Sequence, residues 1–192
     1  MTEVHLRTLS RWQADQQRDA VADLYAKTYR GAAGAEYHDR QAFLDRFEQD
    51  VQRPDFDMVV ADAAGLVGCA YGFRIARTGA WWSGLRGELP EDIEELTASG
   101  RMFLLAELMV LPAHRRTGIA TRLGERLLAR LDADLIVAAV YRTGDETEDD
   151  AAADVLHSWG WSKLGALDPR AARDSSGPGP AARDVWIRRP LR

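Results

Sequence analysis

The chain has 192 residues, a net charge of −5 and a single cysteine. That length suits one domain spanning residues 1–192, and 46% hydrophobic residues mark a globular chain rather than a disordered one. Cys69 has no partner for a disulfide or a cysteine-based zinc site, and the acidic balance argues against a nucleic-acid partner.

In chain order, Val4 to Leu9 alternates and reads as a first strand. Gln13 to Tyr29 is predicted as one helix, with Ala20, Leu24, Ala26 and Lys27 near its buried side. Gly31 to Gly34 breaks it. Asp39 to Val51 is a second helix, with Phe43, Leu44 and Phe47 inward. Asp57 to Asp62 and Leu66 to Ile75 read as antiparallel strands about an Ala63-Ala64-Gly65 turn. Trp81 to Arg101 is a long connection with a short acidic helix from Pro90 to Ala98.

The stretch from Leu104 to Leu131, LLAELMVLPAHRRTGIATRLGERLLARL, is the most informative. Phe103 to Val110 is apolar except for Glu107, as in a buried strand with one polar interruption. Leu111-Pro112 ends the strand, because proline cannot donate to a ladder. Gly118 allows close backbone approach, and Ile119, Leu123, Leu127 and Leu131 then fall on one helix face, with Leu128 widening the stripe. Ala120 and Gly124 keep parts of that helix thin. The free amides at the helix start, with Arg115 and Arg116 beside them, form a site for a phosphate-bearing anion.

Leu135 to Tyr141 reads as a β-branched strand. Thr147-Glu148-Asp149-Asp150 resembles a capping box with acids in the first turn, Ala152 to Trp159 is the helix, and Gly160-Trp161 ends it. Ser162 to Leu167 and Asp184 to Arg189 form a closing strand pair around the loop Asp174 to Pro180. No run of residues reaches the roughly 18–20 apolar positions of a membrane span. The start, MTEVHLRTLSRWQADQ, lacks the apolar core of a secretory signal, and a cytoplasmic, non-membrane protein is expected. The abundance of Ala, Arg, Asp and Gly suggests a bacterial source. The four histidines have no metal-ligand spacing, so no metal is expected.

The spacing Arg115-x-x-Gly118-x-Ala120, with Val110-x-Pro112 before it and a leucine-rich helix after it, resembles the signature of the GNAT superfamily of acyl-CoA-dependent N-acetyltransferases. The positions Asp149, Ala152, Leu156, Gly160 and Trp161 resemble a second stretch of that family. Two positions depart from it. Asp149 stands where an amide is usual, and Leu156 where many members carry a tyrosine that acts as general acid.

The resemblance implies an α/β fold: a mixed, mostly antiparallel central sheet flanked by helices, with parallel splayed strands at the cofactor site. It implies acetyl-CoA as co-substrate and an amine acceptor, either a small molecule or a peptide. Pantetheine would pair with Leu108, Met109 and Val110, and the pyrophosphate would sit on the amides of Arg116, Thr117, Gly118, Ile119, Ala120 and Thr121, beside Arg115. Asp149 and Ala152 match further cofactor positions. Tyr29, Trp81 and Trp82 would line the acceptor site.

Glu107 is the candidate general base, since burial raises a carboxyl pKa toward the range where a base works at neutral pH. Its other reading is a structural ion pair with an arginine. With Leu156 unable to donate a proton, Tyr141 is the candidate acid. Two acidic clusters, one from Glu88 to Glu95 and one from Asp145 to Asp150, read as solvated faces and caps. A GNAT-fold module that catalyses nothing, holding an acyl-CoA or a protein partner, is the alternative. A monomer and a homodimer fit equally well.

Overall fold

A computed structural model describes residues 3–31, 39–78, 80–82, 84–141, 150–167 and 183–190. In chain order they form β1 (His5–Leu9), α1 (Arg11–Gln16), α2 (Arg18–Tyr29), α3 (Arg40–Asp50), β2 (Asp57–Asp62), β3 (Leu66–Arg74) and β4 (Leu85–Gly87). Then come α4 (Ile93–Ser99), β5 (Met102–Val110), α5 (Ile119–Leu128), β6 (Leu135–Tyr141), α6 (Asp150–Ser158), β7 (Ser162–Leu167) and β8 (Arg183–Arg188). Short 3₁₀ turns cover Ala80–Trp82 and Pro112–His114. The chain forms two compact units: Met1–Phe73 with Leu105–Leu131, and Arg74–Leu104 with Asp132–Arg192.

In the first unit the strand order is β1-β2-β3-β5. β1 and β2 pair antiparallel from His5↔Asp62 to Leu9↔Met58, and β2 and β3 from Asp57↔Gly72 to Ala61↔Gly68. The 63–65 turn closes with Ala63 N–H on the Gly65 carbonyl at 2.9 Å, and Gly65 N–H donates to Asp62 Oδ1 at 3.1 Å. The strands are buried on both faces, so Met58, Val59, Val60 and Ala61 are all inaccessible. On one face, α2 and α3 supply Val21, Leu24, Tyr25, Phe43 and Phe47 against Met58, Val60, Cys69, Tyr71 and Met109. Tyr25 stacks on Phe43 at 4.2 Å between centroids, and Phe47 meets Tyr71 edge-on at 5.2 Å.

The alternate residues face the other side. There α5 buries Ile119, Leu123 and Leu127. Gly68 makes this packing possible: a Cβ on it would lie 3.0 Å from the Met109 carbonyl oxygen and 3.1 Å from Leu123 Cδ1. α5 ends at Leu128, so Leu131 is not part of the helical stripe.

The helix expected from Gln13 to Tyr29 is two helices. Ser10 and Gln13 form a reciprocal capping box, which starts α1 at Arg11. The chain leaves helical geometry at Gln17 (φ −97°, ψ 10°) and restarts as α2. The restart sets a stripe of Val21, Leu24, Tyr25 and Thr28, so Ala20 is exposed rather than inward. Asp39 caps α3 by accepting from Ala42 N–H at 2.8 Å.

In the second unit the order runs from the start of β5 through β6-β8-β7-β4. The Arg101 carbonyl, just before β5, accepts from Asp134 N–H, just before β6, at 2.7 Å. The two strands therefore start side by side and run parallel. Their neighbours are antiparallel, with Ile136↔Arg188, Ser162↔Ile187 and Leu85↔Leu167 in register. The core gathers Ile75, Trp82, Ile93, Leu96, Met102, Leu135, Val137, Leu167 and Val185.

β4 was not foreseen, because three residues are too few to show alternation. It pairs where Gly87 and Gly165 bring two backbones together: a Cβ on Gly87 would lie 2.6 Å from the Leu164 carbonyl oxygen. The mixed, mostly antiparallel sheet with flanking helices agrees with the expected fold class.

Candidate active site

Glu107 projects from β5 on the same face as Met109, toward α2 and α3. It is half-buried, and the Tyr29 hydroxyl at the end of α2 donates to its Oε1 across 3.4 Å, a long hydrogen bond. Burial pushes the Glu107 carboxyl from 4.5 up to about 7. The Arg46 charge and the Tyr29 hydrogen bond oppose that rise, and Asp50 adds to it. Tyr29 is itself pushed well up, first by burial and then by the Glu107 charge. A carboxyl poised near neutrality can take a proton and return it.

The charged companions come from α3, where Phe43, Phe47 and Asp50 are buried and Arg46 is half-buried on the same stripe. These positions have the spacing of one buried helix face. The Arg46 guanidinium lies over Phe43 and Tyr25, at 5.3 and 5.8 Å from the ring centroids. Burial pulls its pKa down, but the Glu107 charge, then Tyr71 and Tyr25, more than restore it, so it stays a firm cation. Asp50 is buried, and the Tyr71 hydroxyl donates to its Oδ2 at 3.2 Å. Burial raises the Asp50 carboxyl despite the opposing effects of Arg46, Tyr71 and Arg53. Cys69, buried beside this group, has its thiol raised by burial and by Glu107.

Sequence reasoning passed over Arg46, Asp50 and Tyr71. A signal was present: two charges in the 43/46/47/50 stripe, where apolar residues are expected.

After β5 the chain turns through Pro112–His114 and enters α5. Arg116 (φ +61°) and Gly118 (φ +79°) are both left-handed, and Gly118 is the N-cap. The N-cap Gly118 has no side chain to cap this helix, and among the described residues no side chain accepts from its first amides. Thr117 Oγ1 donates instead to the His114 carbonyl at 2.6 Å.

Arg115 is held differently from a free surface cation. Its Nε donates to the Val110 carbonyl at 3.2 Å and an Nη to the Thr28 carbonyl at 3.0 Å, in the last turn of α2. Arg116 is exposed. Leu111 N–H donates to the Val67 carbonyl of β3 at 2.8 Å, so by strand alternation Val110 N–H points away from β3.

The expected residues thus separate into groups. Tyr29, Glu107, Leu108, Met109, Val110 and the run Arg115, Arg116, Thr117, Gly118, Ile119, Ala120 and Thr121 all belong to the first unit. Ile119 is a core residue, available through its backbone alone. Trp82 is buried in the second unit's core, with Nε1 donating to Thr97 Oγ1 at 3.1 Å, and Trp81 packs edge-on against it at 4.7 Å. Packing accounts for Trp82.

Tyr141 ends β6 opposite Arg183, and Ala152 lies within α6. The side chains of both, and all of Asp149, lie outside the described residues. Leu156 is buried, while His157 is exposed and edge-on to Trp186 at 5.0 Å. In the first acidic cluster, Asp92 is gripped by Arg189 through two hydrogen bonds of 2.8 and 2.9 Å, a structural role.

No family model matches the sequence, and no curated protein matches it significantly. Solved structures do match along nearly the whole chain. A GNAT-family protein from Desulfovibrio desulfuricans superimposes with a TM-score of 0.57 at 13% identity, over 97% of this chain and 99% of that one. The fold is the GNAT fold. yncA from Salmonella typhimurium, solved with its cofactor acetyl-CoA, shares it with a TM-score of 0.57 at 14% identity, over 97% and 94% of the two chains. GphF, a GNAT-like decarboxylase solved with isobutyryl-CoA, shares it with a TM-score of 0.60 at 22% identity, over 96% and 98%. Within the GNAT fold, the strand that carries Glu107 leads directly into the uncapped turn of α5. Among the described residues, no helix is long and apolar enough to cross a membrane.

Proposed function

We propose that the chain, read as one functional domain over residues 1–192, is an N-acetyltransferase that moves an acetyl group from acetyl-CoA to a primary amine. The observation that carries this reading is Glu107: a carboxyl raised to about 7, on the strand that runs into an uncapped helix start. Two neighbours of the same fold were solved with acyl-CoA thioesters, which supports the choice of donor.

The amides from Arg116 to Thr121 would hold the pyrophosphate, with the left-handed Gly118 leaving that backbone open. Leu108, Met109 and Val110 would pair with pantetheine. Val110 N–H, directed away from β3, would donate to the thioester oxygen as negative charge develops there. Glu107 accepts a proton from the acceptor amine, directly or through water, as the nitrogen attacks the carbonyl carbon. The carbon–sulfur bond then breaks and CoA leaves as a thiolate. Tyr141 is the candidate donor to that sulfur, although a CoA thiolate is a fair leaving group without one. A soluble cytoplasmic monomer or homodimer fits this reading.

Calorimetric titration with acetyl-CoA, beside dephospho-CoA and ATP, tests the cofactor site. A free-thiol assay with an amine panel tests the transfer. Micromolar binding with acceptor-dependent thiol release is expected. Binding with no release above hydrolysis for any amine would overturn the enzyme reading in favour of a binding module, the reading that Leu156 at the usual tyrosine position favours.

A further inference from the structure

Within the first unit, α3 carries two opposite charges, half-buried Arg46 and buried Asp50, on one stripe with Phe43 and Phe47. Such charges cost stability in a core unless other groups satisfy them. Among the described residues, the groups that act on them, directly or through Glu107 of β5, are Tyr25 and Tyr29 from α2, Cys69 and Tyr71 from β3, and Arg53 just beyond α3. Asp50 is the last residue of α3, where the helix dipole disfavours an anion, yet it is buried there and receives the Tyr71 hydroxyl. Arg46 lies over the Phe43 and Tyr25 rings, one helical turn before Asp50, and its charge acts on both the Asp50 and the Glu107 carboxyls.

We propose that Arg46 and Asp50 are positioning residues for Glu107: Asp50, fixed by Tyr71, shares the Arg46 cation, so that Glu107 is neither left without a counter-charge nor claimed by a full ion pair. A complete pair would hold Glu107 permanently ionised and make it a poor base. No cation at all would keep it protonated at neutral pH. The division between two acids gives the intermediate state. This inference rests on the reading of Glu107 as the base.

The test follows the Glu107 carboxyl directly, by carbon-detected NMR of protein labelled at glutamate side chains, across pH in the full chain. The Asp50→Asn variant removes the competing charge, so the Glu107 midpoint should fall by about one unit. Arg46→Met should raise it by a similar amount, and Arg46→Lys should restore most of the change. If the larger changes fail to fold, Tyr71→Phe, which removes one hydroxyl that favours the ionised Asp50, should lower the Glu107 midpoint in the same direction as Asp50→Asn but by less, and an unmoved or raised midpoint would count against the proposal.

Unmoved Glu107 midpoints in folded Asp50→Asn and Arg46→Met proteins would overturn the proposal whatever the activity. Midpoints that move while the acid limb of the pH–rate profile stays fixed would uphold the coupling and overturn Glu107 as base.

Discussion

The guanidinium of Arg115 donates to the backbone carbonyl of Thr28, 87 residues earlier in the chain. The next residue, Tyr29, donates to Glu107. The arginine that the motif offered as a phosphate ligand therefore also ties the turn before α5 to the end of α2. The turn and the candidate base share one support.

Loss of that support should be felt at both places. Arg115→Met should lower unfolding stability by about 2 kcal/mol, since two charged hydrogen bonds to carbonyls disappear. Urea unfolding measures that loss. The same variant should weaken acetyl-CoA binding and shift the Glu107 titration, whereas Arg116→Met should weaken binding alone. Identical behaviour of the two variants would contradict the bridging role.

Glu107→Gln should lower kcat by about 10²- to 10⁴-fold and leave acetyl-CoA affinity close to unchanged. In the unaltered protein, kcat/KM should climb as pH rises through about 7, because the base works when ionised. The glutamine variant should lose that limb.

The same carboxyl makes stability pH-dependent with a definite sign. Its folded pKa lies above the ordinary 4.5, so the folded state holds the proton longer than the unfolded state. Its contribution is complete below about 4.5 and is lost as pH rises through about 7, in total of the order of 3 kcal/mol. Denaturant midpoints across that window should fall less steeply in Glu107→Gln.

Three glycines in the first unit should respond differently to alanine. Gly68→Ala should destabilise by about 1–3 kcal/mol, because its Cβ meets a backbone oxygen and Leu123. Gly118→Ala meets nothing but must hold φ +79°, at a cost of about 1 kcal/mol. Gly124→Ala lies inside α5 with nothing within 4 Å and should stabilise by up to about 1 kcal/mol. Thermal unfolding of the three variants checks the order.

Elements with strong periodicity were legible from the sequence. β2, β6 and β7 occupy the expected residues, and α5 begins where Gly118 predicted. The break at Gln17 was hidden, since neither glycine nor proline marks it and the Ser10–Gln13 box only reaches the first residue of the helix that was expected. At the site, Glu107 stood out because its own strand is apolar. Arg46 and Asp50 left a fainter mark: they share the spacing of Phe43 and Phe47, but α3 is rich in charge and the other charges around them blur that stripe. Tyr29 was found by its place at a helix end, but its contact with Glu107 joins residues 78 positions apart and leaves no local trace.

Strand β4 has a consequence for how the molecule behaves in crowded solution. It lies last in its strand order and has three residues, with Arg86 and Gly87 exposed. A strand so short offers an approaching chain few free backbone groups, and the adjoining charges of Arg86 and Glu88 oppose a dry, flat contact. In the first unit, β1 ends its own strand order, has five residues and leaves His5 and Arg7 exposed. Accretion of further strands is thus discouraged at the terminal strand of each unit, and the protein is expected to resist fibril growth even when concentrated.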